Sequence, residues 1–480
     1  MKANVKYGIL LPIVVAVTTV LWVLPADSLG IEGLTVTQQR TIAIFAFAAL
    51  MWIFEIVPNW VTSLMVIVGS LLTISDKSLS FAMHTDDGSI FMSSKELMRS
   101  FSDPVIMLFL GGFVLAIVAS KYGMDVKMAR LLLKPFGKRP RAILLGFLVI
   151  ISVFSMFMSN TATAAMFLTF LSPVLATLPE GERGRTGLAM AIPLAANVGG
   201  IGTPIGTPPN ATAMGVMESA GISMTFGDWA FRMIPFVIIM VLIAWALLLF
   251  FFPFGTKEIT IEIPKKETKR TWRTYVAWIT FALTIILWMT EQWTGLNANV
   301  VALIPLVVYT ATGVFTADDV KEINWTVLWL VAGGFALGYA LNDTGLAKTL
   351  IGSIDFGSMS VALVFVVAGF VCYFLSNFIS NSATAALLLP IMVAMGRGLM
   401  ESTNAEAFAH LGGQPALIAF VAMSASLAML LPISTPPNAL ASSTGMVKTN
   451  DMVKVGIIIG AIGLALGYFW VTRLVPFPVN

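Results

Sequence analysis

The chain has 480 residues, of which 58% are hydrophobic and 11% charged. A soluble domain carries roughly 25% charged residues, so this composition excludes one and identifies an integral membrane protein. A net charge of +3 is too small for a nucleic-acid surface, and one cysteine, Cys372, excludes an internal disulfide framework.

The first apolar run, 7–25, follows Lys2 and Lys6. A cleaved signal peptide would need a small-residue cleavage site, which Leu24-Pro25-Ala26 does not provide, so the run reads as a retained first transmembrane helix. Further stretches near the roughly 20 residues that cross a bilayer fall at 39–57, 60–75, 103–120, 229–254, 274–293, 297–314, 324–342 and 453–475. Two more, 187–219 and 414–447, are long but broken by Pro-rich clusters. The reading is an all-α polytopic membrane protein with about eleven crossings.

Between the fourth and fifth crossings, 141–178 has another design: two apolar arms of about 17 residues around Ser159-Asn160-Thr161. Residues 358–396 repeat it around Ser380-Asn381-Ser382. Arms this short, joined by a polar tip, predict re-entrant hairpins. The broken stretches repeat as well: Ile205-Gly206-Thr207-Pro208-Pro209-Asn210 returns as Ile433-Ser434-Thr435-Pro436-Pro437-Asn438. So do Gly111-Gly112 as Gly333-Gly334, Gly123 as Gly345, and Trp52 with Glu55 as Trp288 with Glu291. The Gly pairs predict close helix packing, and Glu55 and Glu291, near span ends beside Trp, predict interfacial structural roles.

The organisation predicted is a first helix and connector over 1–36, one unit over 37–254, a cytoplasmic linker over 255–272 and a second unit over 273–480. Basic residues crowd 121–141 and the linker region, whereas 76–103 leans acidic. The positive-inside pattern then puts the N-terminus in the cytoplasm and the C-terminus outside. Five crossings plus a hairpin per unit place the second unit upside down, an inverted-topology repeat whose site lies between the units.

At each tip one helix ends with unpaired carbonyls and another starts with unpaired N–H groups. Ser, Asn and Thr suit the start of a helix, and so do Thr207-Pro208 and Thr435-Pro436, with Pro in the first turn. Four converging helix starts, each about half a positive charge, offer roughly +2 to a dianion, and no Arg, Lys or His lies in the four clusters. The opposing carbonyl ends near Ser155 and Gly206, and near Ser376, Ile379 and Ser434, supply oxygens suited to Na⁺. Asn160 and Asn381 can serve cation and anion together. An enzyme would need paired acids, a His cluster or an activated nucleophile in the spans, and none is visible. An anion channel would show a continuous pore with basic rings.

The paired tips followed by Thr-Pro-Pro-Asn breaks resemble the divalent-anion:sodium symporter family, the INDY-type bacterial dicarboxylate transporters and their animal citrate relatives. The resemblance implies a homodimer in the bacterial inner membrane that works by an elevator movement. It implies that Ser159, Asn160, Thr161, Thr207, Ser380, Asn381, Ser382 and Thr435 hold the substrate carboxylates. It implies one Na⁺ at Ser155, Asn160 and Gly206 and another at Ser376, Ile379, Asn381 and Ser434. One position departs from the family pattern: Ser382 stands where Thr is usual. The function expected is Na⁺-coupled import of C4-dicarboxylates such as succinate, malate and fumarate, with no cofactor beyond the coupling ion and with membrane lipid as surroundings. The rivals are a Na⁺-independent exchanger, a citrate or sulfate carrier, and an anion channel.

Overall fold

Proline and glycine punctuate an almost wholly helical chain. The computed structural model describes residues 6–85, 87–176, 178–259, 271–475 and 477. Lys2 and the linker residues Lys265, Lys266, Lys269 and Arg270 lie outside the described residues. Among the described residues, seven helices are long and apolar enough to cross a membrane. Six match expected spans: Val36–Phe54, Pro104–Lys121 (continued N-terminally to Ser94), Phe226–Phe251, Trp272–Met289, Trp325–Asp343 and Thr449–Phe469.

The other expected unbroken spans are shorter apolar helices, Tyr7–Val23, Asn59–Thr73 and Ala298–Ala311. The last is interrupted at Ala302 between Ala298–Val301 and Leu303–Ala311. Pro305 explains this, because it has no N–H for the carbonyl of Val301 four residues back.

The first hairpin is Pro140–Ser155 and Asn160–Ala176, the second Val361–Ser376 and Asn381–Met400. The second arm of the second hairpin therefore runs past the expected end at 396. With 20 residues it is the seventh helix long enough to span, so the arms are unequal rather than uniformly short. The interrupted elements are Arg183–Gly200 with Pro208–Ser219, and Gly413–Ser426 with Pro436–Ser443.

The order of elements recurs, and cross-half packing is reciprocal. Asn59–Thr73 of the first half packs on Trp325–Asp343 of the second, while the 298–311 segment packs on Pro104–Lys121. The Gly pairs make this possible. A Cβ at Gly111 would overlap the Ala302 carbonyl, and one at Gly333 would overlap Ser63. Gly123 and Gly345 both sit at positive φ, 62° and 76°, each starting a short helix, Met124–Leu133 or Leu346–Ser353. The echoed Trp residues have one job: Trp52 Nε1 donates to Asn59 O (3.1 Å) and Trp288 Nε1 to Ala298 O (3.0 Å), each tying a helix to the next one's start. Glu291 also ties backbone, accepting from Phe226 N (3.1 Å) and Ala298 N (3.2 Å).

Two large apolar clusters divide the molecule across both halves. One gathers the hairpins, most of the interrupted elements, Phe226–Phe251 and Thr449–Phe469. The other gathers Val36–Phe54, Asn59–Thr73, Pro104–Lys121, Trp272–Met289, the 298–311 segment and Trp325–Asp343. Each body thus takes matched elements from both halves of the chain.

Candidate functional site

The tips form because their residues can replace the backbone bonds that a helix end loses. Ser380 is the N-cap of Asn381–Met400, its Oγ accepting from Ala383 N at 3.2 Å. Ser159 does the same for Ala162 N at 3.2 Å. Thr435 is the N-cap of Pro436–Ser443, accepting from Asn438 N at 3.3 Å. Thr207 holds the same extended position before Pro208 but makes no capping bond, so the expectation that its side chain caps is corrected. A proline in the first turn already removes one donor that needs a partner.

These four starts meet at one cavity of about 350 Å³. Its wall includes Ser159, Asn160 and Thr161 of one tip, Ser380, Asn381 and Ser382 of the other, and Thr207 and Thr435 of the two breaks. All eight residues assigned to substrate by resemblance are therefore brought together. No charged side chain is among the lining residues. The positive ends of four helices, Asn160–Ala176, Pro208–Ser219, Asn381–Met400 and Pro436–Ser443, begin at this wall. The opposite side is closed by the second body, through Asn59, Trp60, Phe109, Asn324 and Thr326.

The residues assigned to Na⁺ lie in this wall or just behind it. Gly206, Asn160, Asn381 and Ser434 line the cavity, while Ser155, Ser376 and Ile379 are buried beneath it. In the first half, Ser155 Oγ donates to Asn160 Oδ1 (2.6 Å) and lies 2.7 Å from Ala196 O. With the amide turned over, Asn160 Nδ2 donates to Gly206 O and Ala196 O at 3.1 Å each and to Ser155 Oγ at 2.6 Å. The cluster is otherwise all oxygen, so a cation would favour the setting with Oδ1 inward. A Cβ at Gly206 would overlap Gly200 O and lie 2.9 Å from Ser155 O, so only glycine leaves this oxygen cradle open. In the second half, Ser376 Oγ and Asn381 Oδ1 are buried without a hydrogen-bond partner among the described residues. Buried oxygens without donors are costly unless a ligand completes them, and the donor set fits Na⁺, which takes oxygen ligands. Ile379 contributes a buried position rather than a polar side chain.

The breaks are held open by asparagines that the motif contains but sequence reasoning gave no role. Asn210 Nδ2 reaches Gly200 O (2.9 Å), Ile201 O (3.1 Å) and Thr203 O (2.8 Å). Asn438 Nδ2 reaches Met429 O (2.9 Å) and Leu431 O (3.0 Å). Each satisfies carbonyls that the interrupted helix leaves unpaired. Three further asparagines were also missed. Asn59 Nδ2 donates to Ser380 Oγ at 3.0 Å, joining the second body to the second tip. Asn324 caps Trp325–Asp343. Asn197 is a lone polar residue in the apolar stretch before the first break, and that isolation was the available signal.

The description "sodium:sulfate symporter transmembrane region" matches residues 6–474. The chain is 30% identical over 457 residues to an uncharacterized transporter of Haemophilus influenzae, covering 89% of this chain and 91% of that protein. It is 27% identical over 507 residues to a Staphylococcus saprophyticus protein named sodium-dependent dicarboxylate transporter SdcS, covering 98% and 91%. It is 28% identical over 430 residues, 88% of this chain, to a Saccharomyces cerevisiae protein named inorganic phosphate transporter PHO87. The chain spans about half the length of its fungal relatives, 44% of that one and 48% of another. The Alcanivorax borkumensis YdaH transporter shares the fold at a TM-score of 0.55 and 14% identity, over 89% of this chain and 96% of that one. With a family match running almost end to end, this multi-pass membrane protein belongs to the sodium:sulfate symporter family and is a transporter.

Proposed function

We propose that the protein imports C4-dicarboxylates, such as succinate, malate and fumarate, together with Na⁺. The observation that carries this reading is the meeting of both tips and both breaks on one cavity without charged side chains. A dianion there is held by hydroxyls, amides and four helix starts, and by any cation bound behind them. At about 350 Å³ the cavity lies at the small end of the roughly 300–1,000 Å³ typical of small-molecule sites. The eight residues above hold the carboxylates. One Na⁺ uses Ser155, Asn160 and Gly206, and the other Ser376, Asn381, Ser434 and the backbone near Ile379. The relatives named sodium-dependent dicarboxylate transporter support both partners.

The two units, 37–254 and 273–480, are inverted in the bacterial inner membrane, with re-entrant hairpins entering from opposite faces. The body containing the hairpins carries substrate past the other body, which makes the contacts of a homodimer. The division of the apolar core into two bodies supports this elevator reading. A single cysteine at exposed Lys138 should then label only from the cytoplasm and one at exposed Glu406 only from outside, in a Cys372→Ala background. Labelling from the same side would overturn the inversion.

The deciding experiment is uptake of labelled succinate by proteoliposomes with and without a Na⁺ gradient. Strong dependence on Na⁺, with Na⁺ binding tightened by succinate in return, is the expected result. Equal uptake in choline would favour the exchanger. Uptake of phosphate, sulfate or citrate instead would move the substrate toward the rival carriers, of which the phosphate-named yeast relative is the specific prompt. Flux that fails to saturate would indicate a channel.

A further inference from the structure

Asn59 opens the helix Asn59–Thr73 of the second body, yet its amide acts on the first. Its Nδ2 donates to Ser380 Oγ at 3.0 Å, and both residues line the cavity. Ser380 Oγ already accepts from Ala383 N at 3.2 Å. With both lone pairs taken by N–H donors, its own proton has no acceptor among the described residues and is left for an anion. The direction of the Asn59 amide supports this. Its Oδ1 is buried without a partner among the described residues. Turning the amide over would bury two unpartnered N–H groups in place of one oxygen, a larger cost, and would take up the Ser380 proton.

The other tip has no such contact: among the described residues Ser159 Oγ accepts from Ala162 N alone. The position equivalent to Asn59 is Ala298. Each opens its helix, and each takes the indole N–H of its Trp on the backbone oxygen. The same spacing relates Ser63 to Ala302, the residues packed against Gly333 and Gly111. Ala298 lies in a second cleft between the bodies, of about 120 Å³, together with Val105 and Leu108. Val327 and Leu330, their equivalents 222 residues on, line the cavity beside Asn59. The cleft therefore repeats part of the cavity's second-body wall from the other unit, with a methyl where the amide stands. Neither neighbour stands in Asn59's place. Asn297 caps Asn299 N at 2.9 Å, and Asn299, one residue on, is turned about 100° around the helix from Ala298.

Inverted units exchange roles between the two end states of a carrier, so this second wall faces the first tip when the site opens to the other side. Resting on the inverted two-body reading above, we propose that Asn59 is a positioning residue that completes the substrate site in one end state only. It holds Ser380 with its proton available to a substrate carboxylate while the cavity opens as it does here. That contact is lost when the first body moves. The cavity lies at the starts of Asn59–Thr73 and Trp325–Asp343. Because 76–103, beyond Thr73, is the outer loop, these starts are on the cytoplasmic side. Asn59 therefore adds affinity at the cytoplasmic face, and substrate binding draws the carrier toward that state by the same factor.

The test compares the KM for labelled succinate in inside-out and right-side-out membrane vesicles, with Na⁺ equal on both sides. Asn59→Ala keeps the backbone oxygen that Trp52 Nε1 and Ser63 Oγ hold, so the helix start is preserved. It should raise the KM at the cytoplasmic face roughly five-fold more than at the outer face, as expected for one neutral hydrogen bond. Asn59→Asp offers Ser380 an acceptor that takes its proton, and should raise the cytoplasmic KM further. Asn299→Ala should leave the ratio of the two KM values unchanged. An equal rise at both faces, a larger rise outside, or no rise in Asn59→Ala overturns the proposal and leaves the dicarboxylate reading intact. So does a shift of the ratio in Asn299→Ala, which would give the second unit an amide of its own. Same-side labelling at Lys138 and Glu406 would instead remove the inversion on which the proposal rests. Absence of succinate transport by the unaltered protein would overturn the dicarboxylate reading itself.

Discussion

Thr207 and Thr435 occupy matched places, each one residue before a Pro-Pro-Asn helix start, yet their hydroxyls are used differently. Thr435 accepts from Asn438 N and gives its proton to Asn438 Oδ1. Thr207 caps nothing, and its neighbour Asn210 spends its NH₂ on the carbonyls of the break. The contrast continues one residue earlier in each motif. Gly206 is pressed between Gly200 O and Ser155 O, whereas Ser434, its counterpart, donates to Asn377 O (3.0 Å) and accepts from Leu431 N (3.0 Å). Asn377 has no polar equivalent in the first half, where Met156 stands and offers only its carbonyl to Thr203. Duplicated motifs therefore do not make a symmetric site. The second half spends the hydroxyls of Thr435 and Ser434 on its own break, whereas at the tips the balance reverses: Ser155 and Asn160 are bonded to each other, and Ser376 Oγ and Asn381 Oδ1 are left without partners among the described residues.

The comparison can be broken at several points. The largest effect should come from Asn160→Ala and Asn381→Ala, each of which should abolish uptake while size-exclusion profile and Tm stay near those of the parent. Each removes an amide at a tip and leaves buried oxygens or a charged ligand unmatched, at roughly 1–3 kcal/mol or more. Retained uptake in either variant would show that its half is dispensable.

Exchanging the residues that precede Thr207 and Thr435 tests whether the halves can be swapped. Gly206→Ser should cut Na⁺-dependent uptake roughly ten-fold or more, because its Cβ meets backbone oxygens that cannot move aside cheaply. The reverse exchange, Ser434→Gly, removes two hydrogen bonds but creates no collision, and should cost roughly five-fold. Equal losses, read from initial rates against Na⁺ concentration, would remove the steric distinction.

The Thr pair should separate stability from affinity. Thr435→Val loses a cap and should lower stability by about 1 kcal/mol, seen as a reduced Tm in detergent. Thr207→Val should leave Tm unchanged and raise the KM for succinate several-fold. A matched fall in Tm would mean that Thr207 caps after all.

Ser382→Thr should have the smallest effect. One added methyl at the cavity wall, worth about 1 kcal/mol, should shift the preference between succinate and larger anions by a few-fold without abolishing transport. If Ser382→Thr and Ser382→Ala both leave affinity and selectivity unchanged, Ser382 does not contact the substrate.

Much of this architecture is legible in the sequence because its signals are local. Pro208 and Pro436 cannot continue a helix from the residues before them, and Ser380 and Thr435 suit a helix start wherever the fold places them. The Gly pairs mark close approach, though only the structure shows that Gly111 meets Ala302 and Gly333 meets Ser63, each across the halves. The unequal hairpin arms were missed because Gly396-Arg397-Gly398 reads as the end of the apolar stretch, whereas the helix continues to Met400 before the polar run Glu401-Ser402-Thr403-Asn404.

By itself the sequence determined a helical membrane protein, a doubled order of spans, tips and breaks, and the residues at each helix start. Polarity, proline and capping chemistry act within a few residues, so no distant partner is needed to read them. Only the tertiary structure decided that the four starts share one wall, that the core divides into two bodies drawn from both halves, and that Asn59 reaches Ser380. It alone decided which hydroxyls are spent and which remain available. Asn197 shows why: the direction of its amide depends on Asn438, 241 residues away, and Asn438 depends in turn on the carbonyls of Met429 and Leu431. Such a chain of donors and acceptors is set by geometry in space, and no spacing along the sequence encodes it.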